Sequence, residues 1–121
     1  MFKKNKARNK FRVSVLGAGT IGLIHARIFY SLGVEVKSIS STTQINANRA
    51  KEYLANLYGI KTNAYSDVNS ALNVPLDAVS ICTPQECHYE HILAAFDKGL
   101  PVFCEKPLFW DNTCTMKTVQ T

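Results

Sequence analysis

The chain has 121 residues, of which 46% are hydrophobic and 19% charged, as expected of one globular domain of ordinary composition. No apolar run approaches the length of about 18 residues that suggests a membrane-spanning helix, so we expect no membrane partner. The net charge of +5 arises in residues 1–12, which hold six of the 14 basic residues and no acid. We therefore predict a basic, flexible tail over residues 1–10 and no nucleic-acid partner. Weak attraction of this tail to RNA or to an acidic surface is the alternative.

The first strand and the first helix are predicted on either side of a glycine-rich turn. Residues 12–16 form a short β-branched run that ends at glycines, which is typical of a strand. Apolar residues then recur at helical spacing over residues 21–32, with the small residues Gly22 and Ala26 on a neighbouring stripe and Gly33 as the stop signal. The apolar positions are Ile21, Ile24, Ile28 and Leu32.

The remaining chain continues this alternation of strands and helices. Strands are predicted at residues 34–39, weakly at 61–65, at 77–82 and at 102–104. A second helix is predicted from the spacing of Ala50, Tyr53, Leu54 and Leu57, with Gly59 as its stop signal. A third is predicted over residues 67–72, with Ser66 as the candidate cap. A fourth is predicted over residues 86–98 with Ile92, Leu93 and Phe96 facing inward, and a last one begins at Asn112.

This order of elements predicts an α/β fold, a doubly wound parallel sheet of about five strands in a three-layer, Rossmann-type arrangement. Right-handed crossovers put helices on both faces of such a sheet, and its ligand crevice lies at the carboxyl ends of the strands. The helical pattern after the fifth strand stops at Thr121. We therefore expect the chain to be truncated before a sixth strand.

The sequence Gly17-Ala18-Gly19-Thr20-Ile21-Gly22 follows the first strand directly and opens the first helix. In that position a G-x-G-x-x-G motif predicts dinucleotide binding, because its glycines permit a tight turn, a close approach of the backbone to a pyrophosphate and close helix packing. A purely structural turn is the alternative. The predicted cofactor contacts here are Gly17, Gly19, Thr20, Ile21 and Gly22.

The position that reads the adenosine ribose departs from the NAD pattern. An acidic residue is expected about 20 residues past the glycines, at the end of the second strand. Residues 38–50 contain no acid, and Ser40, Ser41, Thr42 and Thr43 present hydroxyls there, with Arg49 further on. Hydroxyls can donate to a 2′-phosphate that a carboxylate would repel, so we predict NADP as the preferred cofactor over NAD. Capping of the second helix is the alternative for these residues, and both roles could coexist.

Two further motifs follow predicted strands and indicate a family. Cys82-Thr83-Pro84 follows the fourth strand, with His88 four residues after the proline, and Cys104-Glu105-Lys106-Pro107 follows the fifth. Together with the glycine motif, they resemble the N-terminal nucleotide-binding domain of the Gfo/Idh/MocA oxidoreductases. The resemblance covers about residues 11–121 and implies an NAD(P)-binding Rossmann domain.

The resemblance also implies roles for individual residues. Lys106 matches the active-site lysine of the family, where a cation beside the reacting hydroxyl can stabilise negative charge during hydride transfer. Glu105 matches an acid near the nicotinamide ribose, and a solvated surface charge is the alternative for Lys106. The implied cofactor contacts are Thr83, Pro84, His88, Glu105 and Lys106. Gln85 stands where the family often has Asn.

The other histidines and the cysteines are predicted to be structural. His25 and His91 lie on helices away from strand ends, and Cys82 and Cys104 are expected to be small core residues. No pair of histidines or cysteines has metal-ligand spacing, so we predict no metal site. In the absence of a predicted export signal, we expect reduced thiols and a cytoplasmic location.

Family members have a second domain that binds the substrate, and 121 residues cannot hold it. The first hypothesis is therefore the cofactor half of an NAD(P)-dependent oxidoreductase acting on a sugar-, inositol- or polyol-type hydroxyl or carbonyl. This hypothesis implies a dinucleotide and a small polyol as ligands and permits a homo-oligomer in the complete enzyme. A non-catalytic NAD(P)-binding or sensing module and an inactive truncated remnant are the alternatives.

Overall fold

A computed structural model describes residues 10–104. Strands and helices alternate, as predicted, in the order β1 (Arg12–Leu16), α1 (Thr20–Ser31), β2 (Glu35–Ser40), α2 (Gln44–Tyr58), β3 (Asn63–Tyr65), α3 (Val68–Leu72), β4 (Ala78–Ile81), α4 (Gln85–Asp97) and β5 (Val102–Cys104). The predicted tail, the helix expected from Asn112 and the candidate residues Glu105 and Lys106 lie outside the described residues. No helix in the described part is long and apolar enough to cross a bilayer.

The five described strands form one parallel sheet with the order β3-β2-β1-β4-β5. The central strand β1 pairs with β2 and β4, so that Val15 lies between Ile39 and Ser80. The chain runs outward from β1 to β3 and then returns to β4 on the other side of β1. The direction of winding therefore reverses between β1 and β4, and the carboxyl ends of these two strands mark the expected ligand crevice.

Alternate side chains of the sheet enter two separate cores. One core joins Val13 and Val15 of β1 with Ala26 of α1 and with Ala50 and Leu54 of α2. The other core joins Leu16 of β1 with side chains of β4, α3 and α4, among them Val79, Ile81, Leu72 and Ile92. The sheet is thus covered on both faces, which confirms the predicted three-layer, doubly wound α/β fold.

Helix α1 packs on the sheet through its small residues. Gly22 and Ala26 are buried, and a Cβ atom at Gly22 would lie 3.5 Å from Cγ1 of Val15. Of the large aliphatic side chains, Leu23 packs against the core, whereas Ile28 is 50% exposed and Leu32, the C-cap residue, is 72% exposed. The apolar spacing therefore predicted a helix correctly, but the stripe of small residues forms its contact with β1, since only small side chains allow this close approach.

Helix α4 differs from its predicted orientation at one position. Ile92 is buried as predicted, but Phe96 is 53% exposed and its neighbour Ala95 is completely buried. Ala95 and Phe96 lie three and four residues after Ile92, so sequence spacing allows either to share its face, and the packing of α4 against β4 and β5 decides for Ala95. The prediction that Phe96 points inward is wrong.

The helix ends follow local hydrogen-bonding rules. Gly59 ends α2 in the left-handed conformation with φ +70°, as its position after the apolar pattern predicted. Asp67 caps α3 by accepting a 2.6 Å hydrogen bond from the Ser70 backbone N–H. The prediction of Ser66 as this cap is therefore wrong by one residue, and the Asp67 carboxylate is engaged by its own helix.

An ion pair joins the start of β1 to the residue before β4. The Asp77 carboxylate accepts from the Arg12 guanidinium at 3.0 and 3.2 Å and from the Arg12 backbone N–H at 2.8 Å. These hydrogen bonds, the one from the Arg12 side chain first, lower the pKa of Asp77. The pair thus links two neighbouring strands at the amino-terminal edge of the sheet.

Asp77→Asn should make the folded chain less sensitive to acid. Because the pKa of Asp77 is lower in the folded state, its contribution to stability is complete above the ordinary aspartate pKa of about 3.9 and is lost as the pH falls through the folded-state value. We expect the difference in free energy of unfolding between the native chain and the variant to shrink as the pH falls from about 5 to about 2. Urea titrations across this range measure the difference, and Glu35→Gln corrects for the loss of one negative charge near β1. A constant difference would show that the carboxylate charge of Asp77 is not responsible.

Candidate functional site

A cleft of about 720 Å³ opens at the carboxyl ends of β1, β2 and β4. It is bounded by the glycine turn after β1, by the end of β2, by the turn before α3 and by the loop after β4. The residues predicted to bind a cofactor that line this cleft are Gly17, Gly19, Thr20, Ile21, Ser40, Ser41, Thr42, Thr83 and Pro84. Three segments that are distant in sequence therefore meet at the crevice that the strand order predicts.

The three glycines of the turn occupy different environments. Gly17 has φ +106°, and a Cβ atom there would lie 2.7 Å from the carbonyl group of Cys82. A Cβ atom at Gly22 would overlap the carbonyl oxygen of Gly17, whereas one at Gly19 would meet no atom within 4 Å. Gly17 and Gly22 are thus required by the protein itself, and Gly19 keeps open the space above the turn.

The turn is fixed to both neighbouring strands. The Gly17 backbone N–H donates to the Ser40 carbonyl oxygen at 3.0 Å, and the Cys82 N–H donates to the Leu16 carbonyl oxygen at 2.7 Å. Helix α1 begins after this turn with Gly19 at its N-cap position, without a side-chain cap and without an acidic residue in its first turn. Its first N–H groups and its dipole are consequently available to an anion in the cleft.

The hydroxyls after β2 divide into two groups. Thr43 caps α2 by accepting a 3.1 Å hydrogen bond from the Asn46 backbone N–H. Ser41 and Thr42 line the cleft, and Ser40 lines it while remaining only 3% exposed. The capping alternative thus applies to Thr43, and the residues before it remain candidates for cofactor binding.

A second cavity of about 420 Å³ lies beyond Gly19 and Ser41. Its walls include Asn46 and Arg49 from the exposed side of α2. Ser41 and Gly19 line both cavities, so a ligand that crosses the glycine turn reaches a guanidinium at this end. Among the described residues that line these two cavities, the only acid is Asp67, and its carboxylate caps α3. The charge at the Arg49 end is therefore positive.

The loop after β4 is held by two histidines of α4. The Nε2–H of His88 donates to the Thr83 carbonyl oxygen at 2.7 Å, and His88 is 3% exposed. The hydroxyl of Thr83 lies 2.9 Å from Nδ1 of His91. Burial lowers the pKa of His91, which favours its neutral form at pH 7. His88 is thus placed beneath the loop, and Thr83 and Pro84 face the cleft.

His25 and His91 were predicted to lie away from the strand ends. Both contact residues at the carboxyl end of β4. His91 lines the cleft, as does Cys87 four residues earlier on α4. His25 of α1 reaches across to β4, where its Nδ1 lies 3.0 Å from the Ser80 Oγ and 3.3 Å from the Cys82 Sγ. The prediction that His25 and His91 lie away from the strand ends is therefore wrong. The spacing of Cys87 and His91 on one helix face was the available signal for His91.

The cysteine, histidine and acidic side chains of the described residues are not clustered into a possible metal site. Among the described residues, Cys82, Cys87 and Cys104 form no disulfide with one another. Within residues 10–104 no group of three or more histidine, cysteine or acidic side chains is arranged to hold a metal ion. Cys82 packs against the first core and also lines the cleft, so it is more than the core residue that the sequence suggested.

Comparison with known proteins bears directly on this cleft. The model of an oxidoreductase family with an NAD-binding Rossmann fold, GFO_IDH_MocA, matches residues 11–121. The chain belongs to the Gfo/Idh/MocA oxidoreductase family. The resemblance carried by the three motifs is thereby confirmed.

Relatives within the Gfo/Idh/MocA family include inositol 2-dehydrogenases. That of Streptomyces avermitilis is 38% identical over 111 residues, which cover 89% of this chain and 31% of the relative. That of Klebsiella pneumoniae is 35% identical over 98 residues, 80% of this chain and 28% of the relative. The chain therefore spans about a third of the length of the relatives that it matches.

Solved structures show the same relationship. The myo-inositol dehydrogenase of Lactobacillus casei, in complex with NAD(H) and myo-inositol, superimposes with a TM-score of 0.80 at 25% identity over 92% of this chain and 32% of that one. A probable dehydrogenase of Thermotoga maritima gives a TM-score of 0.76 at 30% identity, covering 91% of this chain and 32% of that one. The chain is an NAD-binding Rossmann domain of this oxidoreductase family.

Proposed function

We propose that residues 11–121 form the cofactor half of an oxidoreductase that moves a hydride to or from a hydroxyl or carbonyl carbon of an inositol- or sugar-type polyol. The observation that carries this proposal is the glycine turn at the switch point of the sheet, with Gly19 facing open space. Inositol as the substrate class is supported by the relatives, which are inositol 2-dehydrogenases and a myo-inositol dehydrogenase.

A dinucleotide fits the residues of the cleft. Backbone N–H groups at the start of α1 suit the pyrophosphate, and the absence of a Cβ atom at Gly19 lets it come close to the backbone. Thr83 and Pro84 form the opposite wall, toward the nicotinamide end. When bound, the dinucleotide would supply or accept the hydride, and the glycine turn and the loop after β4 would position it.

NADP is proposed as the preferred cofactor. The end of β2 presents Ser41 and Thr42 where an NAD-specific domain places a carboxylate, and Arg49 lines the adjoining cavity. A guanidinium and hydroxyls can donate to a 2′-phosphate, whereas a carboxylate would repel it. NAD(H) occupies the Lactobacillus casei relative, so the preference is a proposal for this chain alone.

Lys106 is proposed as the residue that handles the substrate proton. It follows Cys104, the last residue of β5, by two positions, and the carboxyl end of β5 lies at the same edge of the parallel sheet as the glycine turn. An ammonium group near the reacting oxygen donates a hydrogen bond to it and exchanges a proton with it as the carbon is oxidised or reduced. Glu105 is proposed to lie near the nicotinamide ribose.

Titration calorimetry with NADPH and with NADH tests the cofactor part of this function. We expect saturable binding of both, with NADPH at least about tenfold tighter, because one charge-assisted hydrogen bond contributes about 1.5–3 kcal/mol. Absence of saturable heat with either cofactor would overturn the proposal. Reduction of NADP⁺ by myo-inositol, followed by NADPH absorbance, is the corresponding assay for hydride transfer once the domain is joined to a substrate domain.

A further inference from the structure

Three polar side chains meet between helix α1 and the end of β4. The Cys82 Sγ lies 3.3 Å from the His25 Nδ1 and 3.6 Å from the Ser80 Oγ, and the same Nδ1 lies 3.0 Å from that hydroxyl. Cys82 and Ser80 point to one face of the sheet because they are two residues apart along the strand direction. The site is thus a cysteine and an imidazole within hydrogen-bonding distance, next to a second polar group.

This arrangement favours a nucleophilic thiol. An imidazole in contact with a thiol can accept its proton, and the thiolate is the form that attacks other sulfur atoms. Cys82 is half-buried and lines the cleft, so a small molecule in the cleft can reach its neighbourhood. The proton acceptor and the access route are therefore both supplied by described residues.

Cys87 provides an internal comparison. It lines the same cleft, but no hydrogen bond between its thiol and a histidine is present among residues 10–104. Burial, together with the carboxylates of Glu86 and Glu90, raises the pKa of Cys87. Two thiols of one cleft thus differ in their neighbours, since Cys82 has an imidazole at 3.3 Å and Cys87 has two nearby carboxylates.

We propose that Cys82 is a site of S-thiolation by small disulfides of the glutathione type, and that this modification closes the cleft to the dinucleotide. The His25 Nδ1 takes the thiol proton, and the Cys82 thiolate attacks one sulfur of the disulfide. A new S–S bond forms as the old one breaks. The departing glutathione thiolate takes the proton, so that the small disulfide is the oxidant and one glutathione is released.

The location of Cys82 explains why the modification blocks the cleft. Its carbonyl group is the neighbour that leaves no room for a Cβ atom at Gly17, so its backbone contacts the glycine turn directly. Because Cys82 also lines the cleft, a glutathionyl group on its sulfur takes up space beside this turn. This second half of the inference rests on the proposed dinucleotide binding, whereas the reactivity of the thiol does not.

Incubation of the chain with glutathione disulfide, followed by peptide mass spectrometry, tests the reactivity. We expect Cys82 to gain a glutathionyl group at least about tenfold faster than Cys87, and His25→Asn to slow the reaction at Cys82 by about tenfold while leaving that at Cys87 unchanged. Equal rates at the two thiols, or a rate at Cys82 that does not respond to His25→Asn, would overturn the inference.

A second variant covers the case in which His25→Asn fails to fold. Ser80→Ala removes the hydroxyl that shares the His25 Nδ1 with Cys82, so the reaction rate at Cys82 should be unchanged or higher, and a tenfold fall would contradict the role of His25. For the closure of the cleft, the Cys82 mixed disulfide should bind NADPH at least about tenfold more weakly than the thiol form. Selective labelling with unchanged NADPH affinity would refute the closure alone. Failure of the unmodified chain to bind NADPH would refute the proposed function and the closure of the cleft. The rates of glutathionylation would still test the reactivity of the Cys82 thiol.

Discussion

Gly22→Ala should destabilise the domain, whereas Gly19→Ala should leave it folded and remove dinucleotide binding. A methyl group at Gly22 would overlap the Gly17 carbonyl oxygen, and relief requires a shift of backbone. We expect a loss of about 3 kcal/mol in the free energy of unfolding, at the upper end of ordinary overpacking costs. Urea unfolding followed by circular dichroism measures it.

At position 19 the same substitution acts on the ligand. Gly19 has φ −82°, which alanine also adopts, and its Cβ atom would enter open space. Stability should therefore stay the same or rise by up to about 1 kcal/mol. NADPH should bind at least about 100-fold more weakly, because the methyl group takes the space in which the pyrophosphate approaches the backbone.

Gly33→Ala is the matched control for these two variants. Gly33 has φ +84° and no neighbour of its Cβ position, and it lies outside the cleft walls. It should lose about 1 kcal/mol through backbone strain and retain its affinity for NADPH. If Gly19→Ala binds NADPH as tightly as the native chain does, the proposed path of the pyrophosphate across the turn is wrong.

Arg49→Ala should weaken NADPH binding by about 10- to 100-fold and change NADH binding by less than about threefold. The two cofactors differ only in the 2′-phosphate, and Arg49 lines the cavity that adjoins Ser41 and the glycine turn. The range corresponds to one charge-assisted hydrogen bond, at about 1.5–3 kcal/mol. Paired calorimetric titrations of the variant provide the measurement.

Lys51→Ala and Ser41→Asp complete this experiment. Lys51 is an exposed cation two residues further along α2, but it lines a different cavity, so its removal should affect neither cofactor. Ser41→Asp adds the carboxylate that an NAD-specific domain has, and it should weaken NADPH and strengthen NADH binding. An equal effect of Arg49→Ala on both cofactors would assign this residue to nonspecific attraction of anions.

The sequence predicted well those features that short-range geometry decides. A turn after β1 needs a residue at φ +106°, and Gly17 is recognisable because only glycine adopts that conformation without strain. The same holds for Gly59 at the end of α2. The order of strands and helices then follows from the alternation of apolar periods, and the location of the cleft follows from the order of the strands.

Features that depend on packing were beyond the sequence. Helical periodicity identifies two neighbouring stripes on α1 but not the stripe that contacts β1, which the structure shows to be that of Gly22 and Ala26. The contact of His25 with Cys82 joins residues 57 positions apart, and no local pattern reports it. Among the hydroxyls after β2, only the backbone conformation distinguishes Thr43 as the helix cap.

The outward-facing aliphatic side chains at the end of α1 and at its C-cap affect how the domain unfolds. Ile28 is 50% and Leu32 72% exposed in the folded state, so denaturation uncovers little additional apolar surface at these positions. Both the heat capacity of unfolding and the dependence of stability on urea concentration scale with newly exposed area. Residues 10–104 should therefore show a shallower denaturant slope and a flatter stability curve than a domain of equal length whose large side chains are all enclosed.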